Sequence, residues 1–358
     1  MIHSVYIHIP FCNDICSYCD FCKMYYNSNL VDKYLESLKK EIKLNYKNDI
    51  INTIYIGGGT PSSLNKIQLN ELLEILKIFK TNNFEYTIEC NIESITEDKL
   101  ILFKKYGINR ISIGIQTLND KYIKYLNRHH NKEMVIDKIN LVKKYINNIN
   151  IDLIYAIPGQ TLKELDEDLE FVLSLDINHI STYSLIIEEH TKLFIDKTIN
   201  IDEDLDYQMY KYICKKLNNY NHYEISNFSK LGFESRHNLV YWNNLEYYGF
   251  GLGASGYIND IRYENTRSIN KYLNGDYIKE YHKLDKKETI ENEFILGLRK
   301  IKGINKLDFL KKYNIDINSI DIVNKLLKTN KLIDDGKNIY INNKYLYTSN
   351  EILINFIS

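Results

Sequence analysis

The chain has 358 residues, 44% of them hydrophobic, which is enough for a large core and more than a single core usually spans. Its formal net charge is −1, so overall charge gives no reason to expect nucleic-acid binding. The first residues show no secretory signal pattern, and no apolar stretch is long enough to span a bilayer. We therefore expect a cytoplasmic protein with reduced thiols, built from one large and one smaller domain.

Six strand-like runs alternate with helical patterns over residues 4–185. The predicted strands are 4–9, 52–58, 85–90, 110–115, 149–157 and 179–185. This alternation predicts an α/β fold with a parallel sheet and crossover helices, and six such units favour an open or partial barrel. Ligands of such folds bind at the carboxyl ends of the strands. Because every polar motif described below falls at or just after such an end, we expect one shared site.

The alternation weakens after about residue 200. Residues 203–218 predict a helix, and residues 223–257 are rich in aromatic residues and glycine. A charged helical segment then leads to "KLIDDGKNIYINNKYLY", which predicts a hairpin that turns at Asp335 and Gly336. We predict a core domain over residues 1–286 and a small, helical, winged-helix-like domain over residues 287–358.

The segment "IPFCNDICSYCDFCK" (9–23) holds four cysteines with the spacing C-x3-C-x2-C-x2-C. A zinc site would normally use a second, separate cysteine pair, and a ferredoxin-type run has its gaps in the opposite order. A third interpretation takes Cys12, Cys16 and Cys19 alone. Three thiolates would hold a [4Fe-4S] cluster and leave one iron free for a small chelate such as S-adenosylmethionine. Tyr18 would then shield the cluster and pack against adenine.

The stretch "YIHIPFCNDICSYCDF" resembles the signature of radical S-adenosylmethionine proteins of the oxygen-independent coproporphyrinogen III oxidase group. In that group the dehydrogenases carry a further cysteine two positions after the third. Phe21 occupies that position here, and Cys22 comes one residue late. The resemblance therefore favours Cys12, Cys16 and Cys19 as cluster ligands and Cys22 as a bystander, with replacement of a ligand by Cys22 as the alternative.

The same resemblance implies a radical S-adenosylmethionine partial (β/α)6-type barrel with a pocket for that cofactor. The implied S-adenosylmethionine-binding residues are Tyr6, Tyr18, Gly58, Gly59, Thr60, Glu89, Gln116, Arg128 and Asp152. Ile92 departs from the family pattern E-x-N-P and leaves the local turn unspecified. The residues alone leave two alternatives open: Glu89 as an ordinary surface acid, and Arg128 with Asp152 as a structural ion pair.

Two motifs later in the chain differ in how strongly they indicate a ligand-binding site. "GLGASG" (Gly251, Gly253 and Gly256) fits a dinucleotide fingerprint, but no helical pattern follows it, so we do not expect nucleotide binding there. "RHNLVYW" contains His-Asn-x-x-Tyr-Trp, which resembles the motif of the HemW-type haem chaperones. Haem needs an axial ligand and an apolar wall. The resemblance implies His237, Tyr241 and Trp242 for these roles, within the motif region at about 220–260, with His129 and His130 as alternative ligands.

The sequence is compatible with three functions. The resemblance favours a haem chaperone that carries a [4Fe-4S] cluster, S-adenosylmethionine and haem, and that delivers haem to recipient apo-haem proteins. The alternatives are an oxygen-independent coproporphyrinogen III dehydrogenase and a structural metal-binding module. Whether the protein is an enzyme stays undecided, and a homodimer and transient membrane association both stay open.

Overall fold

The computed structural model describes residues 1–199 and 202–357. Strands, numbered along the chain, are β1 (Ser4–Ile9), β2 (Phe11–Cys12), β3 (Met24–Tyr25), β4 (Ile50–Gly58), β5 (Lys80–Asn91), β6 (Arg110–Gln116), β7 (Asn148–Tyr155), β8 (His179–Ser184), β9 (Asn221–Glu224), β10 (Asn227–Ser229), β11 (Tyr248–Phe250), β12 (Ser255–Ile258), β13 (Ile261–Asn265), β14 (Ile278–Lys283), β15 (Ile304–Asn305), β16 (Leu332–Asp334) and β17 (Asn338–Ile341). Helices are α1 (Ser28–Asn45), α2 (Lys66–Leu76), α3 (Glu97–Lys105), α4 (Asp120–Tyr125), α5 (Lys132–Lys143), α6 (Leu162–Ser174), α7 (Lys192–Ile195), α8 (Glu203–Lys216), α9 (Arg236–Trp242), α10 (Ile269–Leu273), α11 (Lys286–Gly297), α12 (Lys306–Tyr313), α13 (Asp321–Lys328) and α14 (Ser349–Leu353).

The chain divides into two units. The larger unit contains Met1–Lys216 and Glu246–His282. Its main sheet is parallel, with the strand order β11-β1-β4-β5-β6-β7-β8. The predicted α/β fold is thus confirmed, and each of the six predicted strands is present. β5 begins earlier than predicted, because the polar stretch from Lys80 still pairs with β4.

Alternation along the strands explains how the larger unit presents polar groups on one side of its sheet. In β6, Ile111, Ile113 and Ile115 form one fully buried face. Arg110, Ser112, Gly114 and Gln116 occupy the other face, because side chains two positions apart point to the same side of a strand. β5 repeats the pattern with Thr87, Glu89 and Asn91. The polar faces of neighbouring strands therefore form one continuous lining.

A tyrosine side chain covers part of the sheet edge at β11. The Tyr263 hydroxyl accepts a hydrogen bond from Gly249 N–H (2.9 Å) and donates one to Gly249 C=O (3.1 Å). Tyr263 lies on β13, which pairs with β12 in an antiparallel ladder. The strand β12, rather than a helix, follows the first glycines of "GLGASG", in agreement with the lack of a helical pattern there.

A buried carboxylate joins α1 to the later segment of the larger unit. Glu41 is 1% exposed and accepts hydrogen bonds from Gly251 N–H (2.9 Å), Asn265 Nδ2 (2.6 Å) and Tyr272 Oη (2.5 Å). Burial raises the pKa of Glu41 to about 7, and these hydrogen bonds oppose that rise. The network fixes residues 246–282 against the first helix.

The smaller unit combines Leu217–Leu245 with Lys283–Ser358. The sequence-based division, with its boundary at residue 286, places residues 217–245 in the core domain, whereas the structure places them in the smaller unit. Two backbone hydrogen bonds explain the difference. Ile225 N–H donates to Arg299 C=O (3.2 Å), and Ile301 N–H donates to Tyr223 C=O (3.1 Å). Such pairing between distant segments leaves no periodic signal in the sequence.

The carboxyl-terminal part of this unit follows the predicted order of helices and hairpin. β16 and β17 pair in an antiparallel ladder that turns through Asp335 and Gly336, which confirms the hairpin. Gly336 has φ +90°, a conformation that favours glycine. β15 adds a third strand beside β17.

Candidate functional site

The cysteine loop begins directly after β1 and is closed by a short ladder. Cys12 lies on β2, which pairs with β3 at the other end of the loop. Met24 N–H bonds Pro10 C=O (2.7 Å), and Tyr26 N–H bonds Cys12 C=O (2.8 Å). Cys12 is buried, whereas Cys16 and Cys19 are half-exposed. All six cysteines are free thiols.

Groups from two other segments, the glycine loop and the turn that carries Arg128, lie against the cysteine sulfurs. Thr60 Oγ1 is 3.6 Å from Cys12 Sγ, and Arg128 Nη1 is 3.6 Å from Cys16 Sγ. Gly59 packs so closely that a Cβ on it would lie 2.9 Å from Cys12 Sγ. Burial raises the pKa of the Cys12 thiol, and the Thr60 hydroxyl opposes that rise by favouring the thiolate, which is the form that binds metal.

Cys22 has different surroundings from the other cysteines of the loop. Burial raises the pKa of its thiol, and the charge that acts on it most is that of Arg267. Burial also raises the pKa of Cys12 to about 11. The negative charges of the Cys19 and Cys16 thiolates add to that rise. A Cβ on Gly253 would lie 2.6 Å from Cys22 Cβ, so Cys22 packs against the "GLGASG" segment.

No group of three or more His, Cys, Asp or Glu side chains in residues 1–199 and 202–357 is arranged to hold a single metal ion. A four-iron cluster makes a different demand, because each thiolate binds a different iron atom and the sulfurs need not share one coordination sphere. Three thiols on one loop, with Arg128 and Gly59 beside them, are compatible with that arrangement.

Glu89 connects the end of β5 with the glycine loop after β4. Its Oε1 accepts a hydrogen bond from Tyr55 Oη (2.7 Å), and its Oε2 accepts one from Gly58 N–H (3.0 Å). Burial raises the pKa of Glu89 to about 7, and the charge of Asp152 adds to that rise. Glu89 is therefore a held carboxylate in the polar lining and not an ordinary surface acid.

Tyr6 and Tyr55 extend this part of the lining towards β1. Their rings stack with centroids 6.2 Å apart, and Tyr6 Oη contacts His8 Nδ1 at 3.0 Å. Burial, followed by the charge of Glu89, raises the pKa of Tyr6 well above its ordinary value. Both phenols therefore stay neutral and serve as hydrogen-bonding groups.

Asp152 and Gln116 lie further along the lining. Asp152 Oδ1 accepts a hydrogen bond from Asn150 Nδ2 (2.8 Å), and Oδ2 accepts one from Ser112 Oγ (3.2 Å). Burial raises the pKa of Asp152. Gln116 ends β6 with φ +73°, and its Nε2 lies 2.7 Å from where a Cβ on Gly114 would stand.

Arg128 connects the cysteine loop with two strand ends. Its Nη1 donates to Asn91 Oδ1 (3.0 Å), and its Nη2 donates to Gly114 C=O. Asn91 Nδ2 in turn donates to Thr60 Oγ1 (3.3 Å). Arg128 and Asp152 thus bind other groups, and no ion pair joins them within the described ranges, so the alternative of a structural ion pair is wrong.

Asn91 is a residue that the sequence analysis missed. The sequence does contain a signal for Asn91, because it lies two positions after Glu89 and therefore on the same face of β5. Ile92, where the family pattern has proline, is fully buried and begins the 3-10 helix Ile92–Ser94. The turn therefore forms without proline.

A cavity of about 230 Å³ opens beside this cluster of groups. Its walls include Cys16, Thr60, Asn91, Glu93, Arg128 and His129. Tyr18 lies against a neighbouring apolar cluster formed by Tyr122, Leu126, Ile154, Ile157, Leu185 and Leu193. The larger unit therefore brings together the cysteine loop, the glycine loop and the strand-end residues that the sequence predicts.

The His-Asn-x-x-Tyr-Trp motif belongs to the smaller unit, where it forms α9. Ser235 Oγ caps this helix by accepting from Asn238 N–H (3.3 Å). His237 is 1% exposed, and its Nε2 lies 2.8 Å from Tyr241 Oη. Trp242 Nε1 is buried and has no hydrogen-bond partner among the described residues. The guanidinium of Arg299 lies 5.5 Å from the Trp242 ring centroid.

The two alternative haem ligands differ in accessibility. The His129 side chain is 57% exposed, and its Nε2 lies 3.8 Å from Asp14 Oδ1. The His130 side chain is fully buried, and its Nε2 contacts Thr117 C=O at 3.0 Å. His129 is therefore the accessible imidazole of this pair.

The comparisons with known proteins agree with this geometry. A sequence model of the radical SAM superfamily matches residues 6–172. A protein of Lactococcus lactis named "Heme chaperone HemW" is 38% identical, over 99% of this chain and 97% of its own length. Its namesake in Bacillus subtilis is 35% identical over 99% of both chains. The solved coproporphyrinogen III oxidase (HemN) of Escherichia coli superposes with a TM-score of 0.87 at 21% identity, covering 99% of this chain and 90% of that one.

Residues 6–172 thus match the radical SAM superfamily, and the fold of the chain is that of the solved oxidase. Since relatives above 30% identity match almost from end to end, the chain belongs to the HemW family. Within the described residues, no helix combines the length and the apolar character needed to cross a membrane.

Proposed function

We propose that the protein is a haem chaperone that carries a [4Fe-4S] cluster and an S-adenosylmethionine site, and that it binds haem and delivers it to apo-haem proteins. The observation that carries this proposal is the nearly full-length match to relatives named as haem chaperones. The proposal places the protein in the cytoplasm, where thiols stay reduced.

Cys12, Cys16 and Cys19 are the proposed cluster ligands. In support, Arg128 and Thr60 place donors beside two of their sulfurs, whereas Cys22 lies against another segment. Reconstituted protein should hold one four-iron cluster, and Cys22→Ala should keep it while Cys16→Ala loses it. Equal iron loss in the two matched variants would contradict this ligand set.

The strand-end residues are the proposed S-adenosylmethionine pocket. Glu89 suits the ribose hydroxyls because a carboxylate accepts two hydrogen bonds at once, and the loop of Gly58, Gly59 and Thr60 suits the methionine amino group. A cluster and S-adenosylmethionine held by these residues would supply one-electron cleavage of the sulfonium bond. Glu89→Gln should weaken cofactor binding by about 1–3 kcal/mol, the range for an unsatisfied buried partner. Unchanged affinity in a folded, cluster-loaded variant would remove Glu89 from the pocket.

His237 is the proposed axial ligand of haem, with Tyr241 and Trp242 as the apolar wall. Since His237 Nε2 contacts the Tyr241 hydroxyl and is buried, ligation requires that this hydrogen bond break and that α9 shift. Tyr241→Phe should therefore speed haem binding, because the imidazole loses its competing partner. Arg299, over the Trp242 ring, is the nearby cation that suits a haem propionate.

The decisive experiment is one anaerobic reconstitution followed by two assays. Titration with haem should give micromolar or tighter binding, roughly 8 kcal/mol or more. His237→Ala should shift the Soret band, whereas the exposed His129→Ala should leave it unchanged as a matched control. Transfer should be followed with apomyoglobin as acceptor. Turnover of coproporphyrinogen III without haem binding would overturn the chaperone assignment in favour of the dehydrogenase.

A further inference from the structure

Arg110 is a charged residue that none of the motifs accounts for. It opens β6, is only 2% exposed and is among the largest fully buried side chains in the described chain. Its Nε is buried and has no hydrogen-bond partner among the residues described. Because a guanidinium removed from water without full hydrogen bonding lowers stability, packing alone does not explain an arginine here.

The strand register places Arg110 on the polar lining beneath the two carboxylates. Its backbone neighbours are Thr87 on β5 and Asn148 on β7. Two residues further along β6, Ser112 pairs with Glu89, and two further again, Gly114 pairs with Asp152. Since alternate residues of a strand share a face, these side chains line the same side of the sheet.

Arg110 acts on these carboxylates through its charge. Glu89 takes its hydrogen bonds from Tyr55 and Gly58. Asp152 takes its own from Asn150, Ser112 and Ser181. Burial raises the pKa of both carboxyl groups, and the charge of Arg110 lowers both. Opposite charges at short range within a protein favour the ionised form of each partner.

We propose that Arg110 is a positioning residue of the S-adenosylmethionine pocket, the fixed counter-charge that keeps Glu89 and Asp152 available as ionised hydrogen-bond acceptors. This inference rests on the proposed cofactor site. The other titratable groups that interact through charge with Glu89 or with Arg110 are Tyr6, Tyr55, Cys90 and His179. Burial raises the pKa of the two phenols and the thiol, and lowers that of His179, so each of these groups is neutral near pH 7 and none replaces the arginine charge.

The test measures S-adenosylmethionine binding to cluster-loaded protein by equilibrium dialysis from pH 6 to pH 9. Without the Arg110 charge, the pKa of Glu89 and of Asp152 rises. As the solution is acidified, these carboxylates therefore become protonated, and cofactor binding is lost, at a higher pH than in wild type. Arg110→Met and Arg110→Gln should both raise the midpoint of that loss by about one pH unit or more. Arg110→Lys, which keeps the charge, should restore most of the wild-type midpoint.

A matched control comes from the strand neighbour of Arg110. Thr87 is 0% exposed, and its Oγ1 has no hydrogen-bond partner among the described side chains, so Thr87→Val changes the same layer without changing charge. This variant should keep the wild-type midpoint. Thermal melting of the cofactor-free variants supplies a second measurement, in which Arg110→Met should melt no lower than wild type.

Three results would overturn the inference. An unchanged midpoint in folded Arg110→Met or Arg110→Gln, while wild type binds the cofactor, would remove Arg110 from the pocket and leave the proposed function intact. A wild-type protein that binds a cluster but no S-adenosylmethionine at any pH would overturn both this inference and the proposed cofactor site. An equal midpoint rise in Thr87→Val would show a packing effect and would also refute the role of the charge.

Discussion

Gly59→Ala tests whether the close contact between the glycine loop and the cysteine loop is needed for the cluster. A Cβ at Gly59 would lie 2.8 Å from the carbonyl carbon of Pro10, 3.0 Å from Phe11 N and 2.9 Å from Cys12 Sγ. Ordinary contacts begin at 3.4 Å. Two of these three neighbours are backbone atoms, which cannot rotate away as the end of a flexible side chain can.

The size of the effect follows from these distances. The neighbours must each retreat by about half an ångström, and extra methyl groups in a packed interior cost about 1–3 kcal/mol. The backbone of Gly59 is outside the left-handed region, so the whole effect is steric. A displacement of that size is comparable with the tolerance of about 0.5 Å within which a functional constellation must be held. We therefore expect lower stability and loss of the cluster together.

The assay is the iron and sulfide content of the variant after the same anaerobic reconstitution as wild type, with urea unfolding of the cofactor-free protein alongside. Gly114→Ala is the matched control, because the one close contact of its Cβ would be with the end of the flexible Gln116 side chain, at 2.7 Å from Nε2, while Asn91 Oδ1 would be at an ordinary 4.0 Å. This control should keep its iron. A Gly59→Ala protein with full iron content and wild-type stability would refute the steric reasoning.

Three further predictions concern other contacts of the larger unit. The pKa of Glu41 is raised from 4.5 to about 7, so the stability that it contributes is full below pH 4.5 and is lost as the pH rises through 7. Wild type should lose roughly 3 kcal/mol from this group between those limits, and urea unfolding of Glu41→Gln should show a smaller loss; an equal loss would refute this. Arg128→Met should lower iron retention, because it removes the cation beside Cys16, and retention at the wild-type level would count against that contact. Tyr263→Phe should speed hydrogen exchange at Gly249 N–H, measured by mass spectrometry, and unchanged protection would show that another group shields that amide.

The fold of the larger unit was predictable because each strand carries its own signal. β4 and β6 combine β-branched residues with flanking glycine or asparagine, and the helical stripes between them are regular. The site was partly predictable for the same reason, since Glu89, Gln116 and Asp152 fall at or near the ends of these strands. Local patterns were sufficient where the relevant contacts follow from strand direction alone.

Other features depend on contacts between distant segments, which no local pattern reveals. Arg110 reads as the first residue of an ordinary strand, and its importance depends on the register with β5 and β7. The assignment of 217–245 to the smaller unit depends on bonds such as Ile225 to Arg299. The enclosed state of His237 depends on how α9 packs, which the motif itself does not specify.

The Tyr263 hydroxyl on Gly249 has a consequence for how the protein behaves at high concentration. A strand at the edge of a sheet exposes unpaired N–H and C=O groups, which recruit strands from other chains and promote aggregation. One phenol occupies both of these groups at Gly249, and it belongs to the same chain. An incoming strand would have to displace a hydrogen-bond donor and acceptor that belongs to the same chain. The Tyr263 hydroxyl is therefore present beside Gly249 at any protein concentration. The Tyr263 side chain thus blocks the addition of a further strand to the sheet at Gly249.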